Sequence, residues 1–414
     1  MKLPYKLLLF ALALTFVVTS CEKKPIEVPA PSGKTAVDEG GGNNQGGEQG
    51  GEQGGEQGGE QGGEQGGGQT DSGKLCKAEY LGQSPRIIAY MTEYTSASSL
   101  DAYPCLTHIN YAHGRFKNPK TGDGGITIAE TSLLKKVVAL KEKKPELKVL
   151  LMIGGWGEHA DGFSMMARDA AKRTEFCQAV KKHIEDYNLD GVDIDWEYPG
   201  GGPSTNGKSD ADPKNFVLVL KELRETIGDT KIISYASSSS AKYMDWKGAM
   251  EYLDYVNVMT YDMGKPPKHN SPLKKSAVFN QDGCEESIEL HRKAGVPLSR
   301  MNLGVPFYGH GISPYASDVK FNEMADILAA TTGTYAGKNT RRWDDTAKVP
   351  YLVDGSGKIL LSYDDAESVG WKGKLVLDKK LGGAMFWEYR HDDKSHTLLK
   401  ALCTAIYGKE STTN

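Results

Sequence analysis

The stretch Leu189 to Gly200, LDGVDIDWEYPG, constrains this chain more than any other. Val192, Ile194 and Trp196 alternate with Asp193, Asp195 and Glu197, and alternate residues of a strand point to opposite faces. Three carboxylates therefore share one face, their Cα atoms roughly 6.7 Å apart at twice the rise of a strand residue. Like charges at that spacing do not all ionise freely. At least one carboxyl is expected to keep its proton near neutral pH, and the group to titrate as a coupled set. An acidic strand edge facing water is the bland alternative, but the apolar opposite face, followed by Pro199 and three glycines, puts the strand inside a folded domain.

From Arg86 onward, short apolar runs alternate with amphipathic ones. The runs predict eight strands: Ile87 to Met91, Leu106 to Ala112, Lys148 to Ile153, Gly191 to Trp196, Lys231 to Ala236, Tyr255 to Thr260, Met301 to Pro306 and Gly383 to Trp387. Between them, helical spacing covers Leu133 to Lys141, Met165 to Tyr187, Phe216 to Ile227, Trp246 to Leu253, Glu285 to Ala294 and Leu398 to Ile406. Repeated strand and helix units imply a parallel sheet, and eight of them point to an α/β fold, a closed (β/α)8 barrel. An open doubly wound sheet is the runner-up, but it calls for a glycine-rich dinucleotide turn after an early strand, and none is present. The spacer after the seventh strand is too long for one helix. Its Val349 to Val353, Asp354-Gly355-Ser356-Gly357 and Ile359 to Tyr363 form a hairpin signal, so 311–363 reads as a small inserted subdomain that deepens a cleft.

Barrel chemistry lies at the C-terminal ends of the strands. Glu197 falls there after strand four, Tyr261 and Asp262 after strand six, Tyr308 and His310 after strand seven, Trp156 after strand three and Trp387 at the end of strand eight. Aromatic faces that cover sugar rings, with acids to handle a glycosidic oxygen, suit a neutral polysaccharide. The formal net charge of −4 gives no electrostatic footprint for nucleic acid. The histidines His108, His113, His159 and His391 lack metal-ligand spacing, so neither metal nor cofactor is expected.

Ahead of this domain, Lys2 and Lys6 flank the start of an apolar run, Leu7 to Val18, of the length of a secretory h-region. Val18-Thr19-Ser20-Cys21 resembles the lipobox of bacterial lipoproteins, which implies acylation of Cys21 and a tethered, extracytoplasmic protein. Plain secretion is the alternative. Five tandem Gly-Gly-Glu-Gln copies from Gly46 to Gln65 read as a solvated stalk, about 50 residues with a root-mean-square span of roughly 40 Å. The expected organisation is a signal peptide at 1–20, a lipidated linker at 21–75, the barrel at 76–310 and 364–408, and a tail at 409–414, as a monomer. Cys76, Cys105, Cys177, Cys284 and Cys403 remain, with disulfides permitted but no pairing chosen; Cys177 reads as a small buried hydrophobe.

These residues resemble the family-18 glycoside hydrolases, the chitinases, from about Arg86 to His391. The family's DxxDxDxE motif is present as Asp190, Asp193, Asp195 and Glu197 and continues as WEYPG. Supporting segments are Thr107 to Ala112, Met259-Thr260-Tyr261-Asp262, Gly304 to Gly309 and Gly383 to Trp387. The resemblance implies a retaining mechanism in which the substrate's 2-acetamido group is the nucleophile. Glu197 would protonate the leaving oxygen, Asp195 would hold the acetamido N–H, Asp193 would share charge with Asp195, and Tyr261 would donate to the acetamido oxygen. Asp262, Trp387, Trp156, Met259, Tyr308 and Tyr90 would bind substrate, and Asp190 would only brace the start of the strand.

Two positions depart from the family pattern. Met152 stands where the strand-three motif usually has serine, and His310 where the strand-seven motif often has arginine. Three readings follow: a chitinase acting on β-1,4-linked N-acetylglucosamine, an endo-β-N-acetylglucosaminidase acting on N-glycans, and a non-catalytic surface glycan-binding protein, for which Met152 is the support.

Overall fold

The computed structural model describes residues 85–100, 105–203, 207–276 and 279–408. In chain order its strands are β1 (Arg86–Thr92), β2 (His108–Asn118), β3 (Asp123–Ile128), β4 (Lys148–Gly155), β5 (Gly191–Trp196), β6 (Ile232–Ser238), β7 (Tyr255–Met259), β8 (Met301–Pro306), β9 (Tyr308–Gly311), β10 (Asp318–Lys320), β11 (Thr340–Asp344), β12 (Val349–Val353), β13 (Ile359–Ser362) and β14 (Gly383–Trp387). Eight of them, β1, β2, β4 to β8 and β14, pair in parallel, and β1 pairs with both β2 and β14, which closes the barrel. These eight are the eight expected runs: β5, β8 and β14 have the expected bounds, and the others differ at their ends, most of all β2, which runs on from Ala112 to Asn118.

Alternation along each strand divides the core in two. Outward residues such as Ile87, Ile109, Val192, Ile194, Val256 and Leu303 pack beneath the helices in one large cluster. Inward residues, among them Ile88, Leu150, Met152, Ile232, Tyr255 and Met385, fill the barrel. Trp196 anchors β5 from outside, stacked on Phe163 with centroids 5.3 Å apart and edge-on to Phe216. With Trp196 fixed outward, Asp193, Asp195 and Glu197 face inward.

The insertion is a five-stranded antiparallel sheet, β10-β9-β13-β12-β11, over its own core of Tyr315, Val319, Leu352, Leu361 and Tyr363. The expected hairpin is its β12–β13 pair. His269 ties it to the barrel side, with Nε2 3.1 Å from Asp344 Oδ2 and Nδ1 3.3 Å from Ser362 Oγ.

Four local expectations are corrected. The helix expected over Met165 to Tyr187 is two helices, Phe163–Ala167 and Ala170–Asp186, because Asp169 accepts hydrogen bonds from the N–H groups of Ala171 and Lys172 and starts the second one. Trp246 to Leu253 is helical only over Trp246–Ala249. β2 runs on to Asn118 and folds back as β3, an antiparallel addition outside the barrel. The helix Ala366–Asp378 had no expected counterpart; its interior Gly373 lets the helix Thr397–Tyr407 approach, since a Cβ there would meet Ala405 Cβ at 2.5 Å.

Cys105, ahead of β2, is bonded to Cys403 in the helix Thr397–Tyr407, with Cα atoms 6.0 Å apart and a sequence separation of 298. Cys177 and Cys284 are buried and unpaired, and burial pushes the Cys177 thiol up to about 12. Cys21 and Cys76 lie outside the described residues, as do 1–84 and the tail. Closing so long a loop limits the unfolded chain, so replacing Cys105 and Cys403 by serine is expected to lower the unfolding free energy by about 2–5 kcal/mol in urea denaturation.

Candidate active site

β5 carries its acids into the open end of the barrel. Asp193, Asp195 and Glu197 are 0%, 5% and 8% exposed. Three other strands of the barrel, β1, β6 and β7, surround the deepest of them with donors: Asp193 Oδ1 accepts from Ser234 Oγ at 2.5 Å and Asn257 Nδ2 at 3.1 Å, and Oδ2 accepts from Tyr90 OH at 2.8 Å. Burial raises the Asp193 carboxyl to about 6, and those hydrogen bonds hold it from going higher. Asp195 has less help. Its Oδ1 is buried without a protein hydrogen bond, and burial, then the adjacent charges of Glu197 and Asp193, raise it well above the ordinary carboxylate range. Glu197 is raised to about 7, mainly by burial, with a hydrogen bond from Tyr198 opposing and the charge of Asp262 adding. The coupled, proton-holding set expected from the alternation is therefore what the geometry builds.

Beyond the acids the barrel opens into a cavity of about 800 Å³. Tyr90, Trp156, Met259, Tyr261, Asp262, Tyr308 and Trp387 all line it, so the sequence-derived aromatics and acids converge on one space. Their surroundings differ. Tyr90 turns its hydroxyl down to Asp193 while its ring lies 5.7 Å from that of Trp387. Trp156 stands 63% exposed at the rim. Tyr261 is buried, with only a 3.8 Å contact from its hydroxyl to Met385 Sδ.

Asp262 is held in a left-handed backbone conformation, φ 55°, with its N–H bonded to Asn270 Oδ1. Its Oδ1 accepts from Tyr308 OH at 2.6 Å and His310 Nε2 at 2.7 Å. His310 Nδ1 faces the Ser317 carbonyl at 2.9 Å and Asp318 Oδ1 at 3.0 Å. A carbonyl oxygen and carboxylates only accept, so both ring nitrogens carry hydrogen and the ring is an imidazolium. Burial pulls the His310 pKa down, but the bonds to Asp262 and Ser317 outweigh it and the net shift is upward. The sheet of the insertion begins at β9, ahead of the expected boundary at 311, so His310 pairs with Asp318 within that sheet; both line the cavity, which is how the insertion deepens the cleft.

Asp190 stays outside this group. It accepts from Val149 N–H and Lys141 Nζ, both at 2.8 Å, and braces the start of β5. Three contributors were not identified from the sequence. Ser234 and Asn257 are the first two, and the third is a polar wall in which Glu93 bonds His113 Nδ1 at 2.7 Å and Arg115 at 2.6 Å. Register explains Ser234: Met152 and Ser234 flank Asp193 on its two neighbouring strands. The hydroxyl absent at Met152 is supplied from the other side.

The family model "Glycosyl hydrolases family 18" matches residues 86–392. Chitinase A1 of Niallia circulans is 36% identical over 302 residues, 64% of this chain and 43% of that protein. Probable chitinase 2 of Drosophila melanogaster is 31% identical over 293 residues, 62% of this chain and 59% of the relative. The chain thus spans about half the length of these curated relatives. Among solved structures, a family-18 N-acetylglucosaminidase from Paenibacillus barengoltzii aligns with TM-score 0.65 and 29% identity over 78% of this chain and 99% of its own.

The buried acids set a pH dependence of stability. Glu197 titrates near 7 when folded and near 4.5 in the unfolded chain, so between those values the folded protein holds a proton that the unfolded chain releases. The contribution of Glu197 to stability therefore falls as pH rises from about 4.5 to about 7. Glu197→Gln has no proton to lose and is expected to gain about 2.5 kcal/mol on the wild type between pH 5 and pH 8, measured by urea denaturation at both values.

Proposed function

The chain belongs to glycosyl hydrolase family 18, and from that premise we propose that it hydrolyses β-1,4-linked N-acetylglucosamine polymers or oligomers with retention of configuration, using the substrate's own acetamido group as nucleophile. The observation that carries this reading is the burial of three neighbouring carboxyl groups on one face of β5 and its end, which favours their protonated forms. Glu197, raised to about 7, has a proton to give near neutrality, as a general acid needs. Asp195, raised well above the carboxylate range by burial and by its two acidic neighbours, is a poor nucleophile. A nucleophile from the substrate fits both facts, as in the substrate-assisted variant of glycoside hydrolysis.

In this mechanism the sugar ring rests on Trp387 and its acetamido group lies between Tyr261 and Asp195. Glu197 protonates the glycosidic oxygen as the acetamido oxygen attacks the anomeric carbon, giving an oxazolinium ion and the shortened chain. The N–H of that ion is acidic, and Asp195 accepts a hydrogen bond from it as its own proton passes to Asp193, whose donors tune it to about 6. Glu197, now a carboxylate, takes a proton from water, which opens the ring with the original configuration.

The P. barengoltzii neighbour favours a second reading in which single N-acetylglucosamine units are released. An endo-β-N-acetylglucosaminidase acting on N-glycans shares the chemistry and differs in substrate. Against the glycan-capture reading stands the Ser234 hydroxyl, which donates to Asp193 where Met152 offers none; turnover of any glycan would decide between them. The lipobox-like Val18 to Cys21 and the glycine-rich stalk favour display on a lipid anchor in the cell envelope. Cys21→Ser is expected to abolish incorporation of labelled fatty acid in a bacterial host, whereas full labelling of that variant contradicts the anchor.

Chitohexaose digested by the full chain, with products resolved by length and anomer, tests the main reading. β-Anomers should appear first, internal lengths indicating a chitinase and monomer alone the second reading; absence of products contradicts hydrolysis of this polymer. Glu197→Gln should lose about 10²- to 10⁴-fold in rate while still binding the oligomer. The rate should fall above about pH 7 as Glu197 ionises, and at low pH as Asp193 and Asp195 both become protonated.

A further inference from the structure

We infer that Asn302 and Arg86, which lie below the cleft, are positioning residues for Asp193 and Asp195: a one-way chain of hydrogen bonds from Arg86 through Asn302 and Asn257 obliges an N–H to face Asp193 and leaves Asp195 as the one of the two that holds a proton. This deepens the hydrolytic reading above and rests on it for its consequence in catalysis.

The sense of the chain follows from its far end. A guanidinium has donors and no acceptor, so Arg86 Nε must meet an oxygen, and it meets Asn302 Oδ1 at 3.1 Å. That turns Asn302 Nδ2 toward Asn257 Oδ1, at 2.8 Å. Asn257 in turn presents Nδ2 to Asp193 Oδ1 at 3.1 Å and to Tyr90 OH at 3.0 Å. Tyr90, having accepted there, donates to Asp193 Oδ2. Neither amide can flip without setting donor against donor.

The fold is arranged for this reach. Asn257 pairs with Asn302, Asn302 with Gly383, and Gly383 with Arg86, so the row crosses four adjacent strands. A Cβ at Gly383 would run into the Arg86 backbone, so glycine lets β14 and β1 lie close, and a Cβ at neighbouring Gly382 would collide with the Arg86 guanidinium. Asn257 and Asn302 are 0% exposed and Arg86 3%, so water does not compete. The other groups facing Arg86 are Asp254, Tyr255, Arg300, Tyr407 and His108. Burial keeps His108 neutral and the two tyrosines protonated, leaving Arg86 a cation lowered to about 10. Asp193 also faces Asp195 and the neutral tyrosines Tyr90, Tyr255 and Tyr261.

Both oxygens of Asp193 thus meet donors held in place, and a proton added there must displace one of them. Asp195 Oδ1 meets none. The resting proton therefore belongs on Asp195 and reaches Asp193 only when charge develops on the substrate.

The test compares wild type, Asn302→Leu and Asn302→Asp, all as full chains. Buried carboxyl groups are titrated by infrared spectroscopy, and the Asp193 band is assigned by its loss in Asp193→Asn. Asn302→Leu frees Asn257 to turn, and the Asp193 ionisation should rise by about one pH unit. Asn302→Asp accepts from both Arg86 and Asn257, draws the Asn257 oxygen onto Asp193, and should shift it further in the same direction. With chitohexaose, the acid limb of kcat should move up with the infrared shift, while the Glu197 limb and KM stay within about twofold. Superimposable infrared titrations in a folded variant overturn the relay, as does a loss of activity with an unshifted acid limb, which is what a purely structural role predicts. The infrared measurement needs no turnover, so an inactive wild type would defeat the hydrolytic reading and leave this test standing; the isosteric Asp variant serves if the Leu variant does not fold.

Discussion

The removal of three carboxylates from water on a single strand is the constraint on which the structure depends. Asp193, Asp195 and Glu197 are driven inward because Val192, Ile194 and Trp196 are claimed by the helices outside the barrel. An ionised carboxylate in such a place is costly unless hydrogen-bonded or neutralised. The protein uses both remedies, in order of depth. Asp193 receives donors from three strands, whereas Asp195 and Glu197 are left to hold protons. A stabilising response to burial and a catalytic gradient of acidity are here the same arrangement.

The insertion extends that logic to the outer part of the cleft. Asp262 stands near enough to raise Glu197 by its charge, and its own carboxylate is gripped by Tyr308 and by the imidazolium of His310. His310 is shared in turn with Asp318 of β10. The antiparallel sheet of the insertion and the acidity of Glu197 are therefore connected through one charged pair at the rim. That connection gives a physical role to the histidine in place of the arginine often found there.

Much of this was legible in the chain because local rules govern it. The alternation in LDGVDIDWEYPG gave the inward acids and the outward Trp196, and short apolar runs located all eight barrel strands. The convergence of Tyr261, Asp262, Tyr308, Trp156 and Trp387 followed from their positions after strands. What escaped was long-range or unperiodic. Ser234 matters only because β6 lies beside β5 in a particular register, 41 residues from Asp193, and Asn302 because it lies across from Asn257. The Cys105–Cys403 bond spans 298 residues. The helix Ala366–Asp378 hides behind Gly370 and Gly373, which lower helix propensity yet permit a close helix contact. Met152 taught the reverse lesson: a missing hydroxyl on one strand says little until the strand on the other side is known.

Neutron diffraction from deuterated crystals, held just below the Glu197 value of about 7, would locate the protons of the three acids themselves. A deuteron is expected on Glu197, one on Asp195 and none on Asp193, with the Asn257 amide presenting its deuterons to Asp193. A bare Glu197, or a deuterated Asp193 facing the Asn257 oxygen, would contradict that pattern.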